Sequence, residues 1–182
     1  NLGVGSGKHG EQTAKMIEGI EEILIKELPD YIVVYGDTNS TLAGAIAASK
    51  LHIPIAHIEA GLRSFNKAMP EEINRICCDH CSTLLFSPTS TGYKNLINEG
   101  FNPENKKPFT IDNPGIYHCG DVMYDNSMFF AQSTVNGQLS TDFVHSSNYI
   151  LCTIHRNNNT DEPERLGAII KALLRLSKEE DI

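Results

Sequence analysis

The sequence predicts an α/β protein built on parallel, Rossmann-like sheets, and three observations carry that prediction. Helical and strand periods alternate along the chain, the strand segments are short continuous apolar runs, and the turns between them are brief and rich in Gly, Pro, Asp and Asn. A continuous apolar run is what a strand buried on both faces looks like. Strand–helix–strand alternation with short turns then implies right-handed crossovers and helices on both faces of a parallel sheet. The chain has 182 residues, 40% of them hydrophobic and 21% charged, which is enough material for a real core in one large or two small domains.

The elements follow in order. From residue 11 to 28, Ile17, Ile20, Leu24 and Leu28 recur at three- and four-residue steps between acids and lysines, an amphipathic helix. Pro29-Asp30 breaks it, and the apolar run 31–35 is the first strand. Gly36-Asp37-Thr38 turns the chain into an Ala-rich helix over 40–50, and 53–58 is the next strand, with Pro54 near its start where proline is tolerated. Pro70 opens a helix through residue 81, proline being at home in a first turn. Residues 83–86 form a strand, 91–99 a short helix closed by Gly100, and the Pro- and Asn-rich stretch 101–114 a surface loop. A strand over 116–119 and a helix over 121–132 come next. The polar, aperiodic stretch 134–147 reads as a linker between a first domain, 1–133, and the start of a second, 148–182. The second opens with a strand over 149–154, and Thr160, Asp161 and Pro163 then start a helix whose buried stripe is Leu166, Ile169, Ile170, Leu173 and Leu174. There is no internal repeat.

Composition excludes several classes of function. Fifteen Lys+Arg against 23 Asp+Glu leave a formal charge of −8, without the basic stripe a nucleic-acid partner would need. No apolar stretch approaches the about 18 residues of a membrane span. Asn1-Leu2-Gly3 shows neither an initiator Met nor a signal layout, and both ends read as cut. Five cysteines, Cys77, Cys78, Cys81, Cys119 and Cys152, then read as reduced thiols of a cytoplasmic protein. Cys78-Asp79-His80-Cys81 has the spacing of half a zinc site, but no second pair completes it, so no metal is expected.

In an open parallel sheet, ligands bind beyond the carboxyl ends of the strands. There the sequence places Asp37, Glu59, Ser87, Asp121 and the pair His155-Arg156. Each has a bland reading. Asp37 could cap the helix behind it, Glu71 and Glu72 could oppose a helix dipole, and His155 could be satisfied by a backbone carbonyl. Glu59, followed by Ala60-Gly61-Leu62-Arg63, either pairs with Arg63 or faces a cleft. Together, several carboxylates and a His-Arg pair on one edge point to acid–base chemistry. Two motifs fail. Gly3-Val4-Gly5-Ser6-Gly7-Lys8 has too few residues between its glycines for a phosphate loop and His9 where Ser or Thr is needed, and no Gly-x-Gly-x-x-Gly follows a strand to hold a dinucleotide.

Gly36-Asp37-Thr38-Asn39-Ser40-Thr41-Leu42-Ala43, His57-Ile58-Glu59-Ala60-Gly61-Leu62-Arg63 and Met69-Pro70-Glu71-Glu72-Ile73-Asn74-Arg75 form an ordered set of blocks. Phe86-Ser87-Pro88-Thr89, Gly120-Asp121-Val122-Met123-Tyr124-Asp125 and Thr153-Ile154-His155-Arg156 extend it along nearly the whole chain. This set resembles the non-hydrolysing UDP-N-acetylglucosamine 2-epimerases, and phrases such as Arg63-Ser64-Phe65-Asn66 look closest to the branch acting on UDP-2,3-diacetamido-2,3-dideoxyglucuronate. The resemblance implies a GT-B architecture of two Rossmann-like domains facing across a cleft, a UDP-sugar substrate, no cofactor and a homodimer. It places the catalytic acids on Asp37, Glu59 and Glu71 and the catalytic histidine on His155. Substrate-binding roles fall on Arg63, Arg75, Ser87, Asp121 and Arg156. The implied reaction inverts C2 by eliminating UDP to a glycal and adding it back. Glu11-Gln12-Thr13 departs from the Arg-Gln-Thr of family members activated by their own substrate, so that regulation is not expected. The resemblance also implies a missing opening strand and most of a missing second domain, hence an inactive and marginally stable fragment with an uncovered sheet edge and apolar surface. The rival readings are a GT-B glycosyltransferase using a UDP-sugar donor, a hydrolysing epimerase, and a non-enzymatic nucleotide-sugar binder.

Overall fold

A computed structural model describes residues 1–134 and 152–179, which fall into two units, 1–130 and 131–182. The first unit holds α1 (His9–Glu27), β1 (Ile32–Tyr35), α2 (Asn39–Lys50), β2 (Ile55–Ile58), α3 (Pro70–Cys81), β3 (Leu84–Ser87), α4 (Ser90–Asn98) and β4 (Gly115–His118). The helix α5 (Val122–Thr134) follows β4 and runs past the boundary between the units. The strands form one parallel sheet in the order β1-β2-β3-β4.

That order explains a departure from expectation. Each right-handed crossover steps the chain one strand further in the same direction, so successive helices must land on one face. The register rows Val34–His57–Leu85–Ile116 define that face. Gly44 of α2 lies against Val34, Cys78 of α3 joins Val34 and Ile55, and Leu96 of α4 packs with Leu85 and Ile116. Ile17, Ile20 and Leu24 of α1 complete the same layer. The opposite row, Tyr35–Ile58–Phe86–Tyr117, is not covered by these helices. Tyr35 is 62% and Tyr117 39% exposed, and the loop residue Phe109 is set edge-on to Tyr117. Helices on both faces would require the strand order to reverse, and in this sheet it does not.

The Ala-rich composition of α2 has a packing reason. Ala43, Gly44, Ala45, Ala47 and Ala48 are buried because the helix lies between α1, α3 and β1, where larger side chains would hold the layers apart. Under α4, Leu85 and Leu96 are fully buried, and truncating either to Ala would cost about 2–5 kcal/mol.

The second unit contains α6 (Asn157–Thr160) and α7 (Pro163–Glu179). Leu166, Ile169 and Leu173 are half-buried along α7, whereas Ile170 and Leu174, expected in the same stripe, are exposed. Of the strand expected over 149–154, residues 149–151 lie outside the described residues and 152–154 carry no strand assignment. The linker expected over 134–147 also lies outside them, except Thr134, which ends α5. No described helix is long and apolar enough to cross a membrane.

Candidate active site

β1 ends in a turn that only a special backbone can make. Gly36 has φ +65°, and a Cβ there would sit 3.3 Å from Glu59 Oε2. Thr38 follows and accepts the Thr41 N–H, so Thr38, not Asp37, caps α2. Asp37 is thereby released from the capping role. Its Oδ2 lies 2.7 Å from Arg75 Nη2, while Asn74 Nδ2 donates to the Asp37 carbonyl at 2.9 Å and to Asn39 Oδ1 at 3.2 Å.

β2 ends in a second tight turn. Glu59 has φ +78°, a left-handed conformation that costs a non-glycine residue energy and marks a held position. Its Oε1 is 3.3 Å from the same Arg75 nitrogen. Arg75 therefore pairs with Glu59, for which the sequence offered either Arg63 or an open cleft, and bridges two carboxylates from neighbouring strand ends. The guanidinium is 11% exposed and its Nε has no hydrogen-bond partner.

Pro70 starts α3 in its first turn, as the sequence predicts. Helical spacing puts Glu71 on the same face as Asn74 and Arg75, three and four residues on, the face that meets the β1 and β2 turns. Glu72 points elsewhere. It is 2% exposed and accepts from Ser64 N, Ser64 Oγ and Phe65 N at 2.7, 3.0 and 2.9 Å. Burial alone would raise its pKa, but these bonds, with Arg63 nearby, hold the carboxyl below its usual range.

Arg63 lies apart from this cluster. Its side chain is 1% exposed and pairs with Asp79 Oδ2 at 2.7 Å and, through Nε and Nη2, with Glu99 at 2.7 and 2.6 Å; Nη1 donates to the Leu62 carbonyl at 2.8 Å. Each of its three nitrogens thus has a partner within the protein, so the structure places Arg63 in an ion-pair cluster with Asp79 and Glu99, apart from Asp37, Glu59 and Arg75. Ser87 is likewise fully buried, packed on Gly92 and donating to the Thr89 carbonyl at 3.1 Å. At the end of β4, Asp121 accepts the Met123 N–H at 2.8 Å and caps α5. In the second unit, His155 is exposed and its carbonyl accepts from Asn159 Nδ2, while Arg156 takes φ +80° at the start of α6.

Sequence reading missed His57 and Asp79, both fully buried. His57 Nδ1 lies 2.7 Å from Asp79 Oδ1 and its Nε2 donates to the Gly36 carbonyl at 2.8 Å. Burial opposes the imidazolium, but hydrogen bonds with Asp79 and Cys78 outweigh it and push His57 up to about 10. The available signal was a histidine inside the apolar run 53–58 and an acid within a helix face that had to be buried. Among the described residues, no group of three or more His, Cys, Asp or Glu is arranged to hold a metal ion.

The pattern of the family described as UDP-N-acetylglucosamine 2-epimerase matches residues 1–182. The chain belongs to that family. Its relatives include UDP-2,3-diacetamido-2,3-dideoxy-D-glucuronate 2-epimerase of Pseudomonas aeruginosa, 52% identical over 174 residues, covering 94% of this chain and 46% of that one. UDP-N-acetylglucosamine 2-epimerase of Methanocaldococcus jannaschii is 45% identical over 176 residues, covering 97% of this chain and 46% of the relative. The crystal structure of the Methanocaldococcus jannaschii UDP-GlcNAc 2-epimerase in complex with UDP-GlcNAc and UDP superposes with a TM-score of 0.82. It is 43% identical and covers 100% of this chain and 48% of that one. The fold is thus that of the UDP-GlcNAc 2-epimerases, the GT-B architecture. The chain spans about half the length of the curated relatives it matches.

Proposed function

We propose that the protein is a non-hydrolysing nucleotide-sugar epimerase that inverts C2 of a UDP-N-acetylhexosamine. The observation that carries this reading is the convergence of Asp37 and Glu59 on one guanidinium, Arg75, at the carboxyl edge of the sheet, with Glu71 on the same helix face. As ions, two carboxylates and one guanidinium leave a net negative charge where strand ends open to ligand.

The chemistry uses that charge. The C2 proton of the sugar has no adjacent carbonyl to acidify it, so the C1–O bond must break first, its electron pair leaving with UDP and C1 gaining oxocarbenium character. A nearby carboxylate stabilises the cation and then takes the C2 proton, giving a glycal. Return of the proton to the other face of C2, with attack of the UDP oxygen on C1, gives the inverted sugar with no net redox change. Asp37, Glu59 and Glu71 share the base, acid and cation-stabilising duties, and Arg75 holds the first two in place. The family resemblance assigns His155 and Arg156 to the departing diphosphate and Asp121 to substrate binding. No cofactor takes part. The active form is a cytoplasmic homodimer.

The substrate is UDP-N-acetylglucosamine or its 2,3-diacetamido-glucuronate analogue. The 52% identity to the Pseudomonas aeruginosa enzyme and the Ser64-Phe65-Asn66 phrase favour the analogue. Proton NMR in D₂O of the full-length protein with each sugar is the test. Deuterium entering C2 while manno signals grow and UDP stays attached supports the epimerase, and the faster sugar names the substrate. Release of free UDP would move the protein to the hydrolysing class, and absence of C2 exchange from both sugars would overturn the reading.

A further inference from the structure

We infer that the buried pair His57–Asp79 is a positioning device that sets both catalytic turns at once. The inference rests on the epimerase reading. Asp79 is the hub. Its Oδ1 takes the His57 Nδ1–H at 2.7 Å, and its Oδ2 takes the Gly61 N–H at 3.0 Å and an Arg63 N–H at 2.7 Å. His57 passes the connection on, its Nε2–H donating to the Gly36 carbonyl at 2.8 Å. Gly36 immediately precedes Asp37, and Gly61 closes the turn that Glu59 opens.

Hydrogen-bond chemistry fixes the ionisation. A carbonyl can only accept, so Nε2 must carry a proton. Asp79, already facing a guanidinium and an amide N–H, accepts at Oδ1 as well, so Nδ1 carries one too. His57 is an imidazolium, and with Arg63 it balances Asp79 inside the fold and Glu99 at the rim.

A buried triad such as His57, Asp79 and Arg63 is a poor way to gain stability, since apolar residues of similar volume commonly do as well or better. What it does supply is direction. Its bonds to the main chain end on Gly36, Gly61 and Leu62, all within the two strand-end turns that carry Asp37 and Glu59. Those turns contain left-handed residues at Gly36, Glu59 and Gly61, which persist only where surrounding contacts hold them. On the helix side, Asp79 lies one turn beyond Arg75 on α3, so a single helix carries both the bridge between the carboxylates and the hub beneath them.

The test uses two substitutions of His57 in the full-length protein. His57→Gln keeps a donor where Nε2 reached the Gly36 carbonyl, whereas His57→Asn keeps one only where Nδ1 reached Asp79. Positioning predicts that His57→Asn lowers kcat for C2 exchange about 100-fold with KM little changed, the scale expected of a misplaced reacting group, while His57→Gln retains most of the activity. Equal kcat in both variants, at a temperature where both are folded, would overturn it. Crystal structures of the two variants give a readout independent of turnover. The Asp37–Arg75 and Glu59–Arg75 separations of 2.7 and 3.3 Å should shift in His57→Asn and persist in His57→Gln. Unchanged separations in both would again overturn it. If the unsubstituted protein exchanges no C2 proton, the epimerase reading fails alone, and the crystal structures still decide the positioning role. Should His57→Asn not fold, Asp79→Asn takes its place with the same outcomes.

Discussion

Two arginine-centred regions, around Arg63 and Arg75, do opposite things. Around Arg63, the side chains of His57, Asp79 and Arg63 itself are closed off from solvent, Glu99 meets the guanidinium from the surface side, and each positive group meets a negative one. Around Arg75, two carboxylates share one guanidinium at the open edge of the sheet. Both arginines follow a glutamate within a conspicuous motif, and residue type alone does not separate them. Burial separates them. A charge paired below the surface can shape its surroundings, whereas a partly exposed cluster with unequal charge is suited to stabilising positive charge that develops during a reaction.

The comparison is most strongly tested by removing charge at the edge. Glu59→Gln and Asp37→Asn should each lower C2 exchange by about 10²- to 10⁴-fold with melting temperatures close to the parent, because each loses a group that handles protons or positive charge. A variant that kept full turnover would remove that carboxylate from the chemistry. Arg63→Ala should instead act on stability, costing about 3–5 kcal/mol in denaturant titrations by leaving the buried Asp79 without its guanidinium partner. Should Arg75→Ala cost as much, the contrast between the two regions fails.

Proton linkage sharpens the same contrast. His57, held near pKa 10 against an ordinary 6.5, favours the folded state when protonated. Its contribution is fully present below pH 6.5 and is lost as pH rises from 6.5 through about 10. The charged groups facing it are Asp79, with Arg63 behind, and its neighbour Cys78 belongs to the same helix. Thermal melts at pH 6, 8 and 10 should show a falling Tm that is flatter in His57→Gln. An equal slope in both would mean that His57 is neutral in the fold. The smallest effect concerns Glu72. Glu72→Gln should cost about 1–3 kcal/mol, since an amide is a poorer acceptor for the Ser64 and Phe65 N–H groups. Its depressed carboxyl adds stability that is present above the ordinary Glu range and is lost as pH falls through its own pKa. Limited proteolysis at residues 64–69 reads the loosened loop.

Much of this was legible in the sequence because hydrophobic period is a local signal. The helix expected over 70–81 is α3 at Pro70–Cys81, and the strands shift by a residue or two at their ends, where fraying and capping decide. The capping alternative for Asp37 was decided by Thr38, one residue on, and only coordinates distinguish two adjacent capping residues. Direction was harder still. Glu71 and Glu72 are equivalent on paper, yet one hundred degrees of helix rotation sends Glu72 to the Ser64–Phe65 loop and leaves Glu71 on the face of Arg75. The one-sided covering of the sheet was not legible either, because strand order is a property of three-dimensional pairing that alternation alone does not fix.

The unbroken strand order has a consequence for how the chain acquires its shape. Among the described strands, each after the first pairs with the one made just before it, so this part of the sheet can grow by accretion as the chain leaves the ribosome. Arrested nascent chains of increasing length should therefore gain protease protection in increments, one strand and its helix at a time. Protection that arrived all at once would point to assembly from the whole.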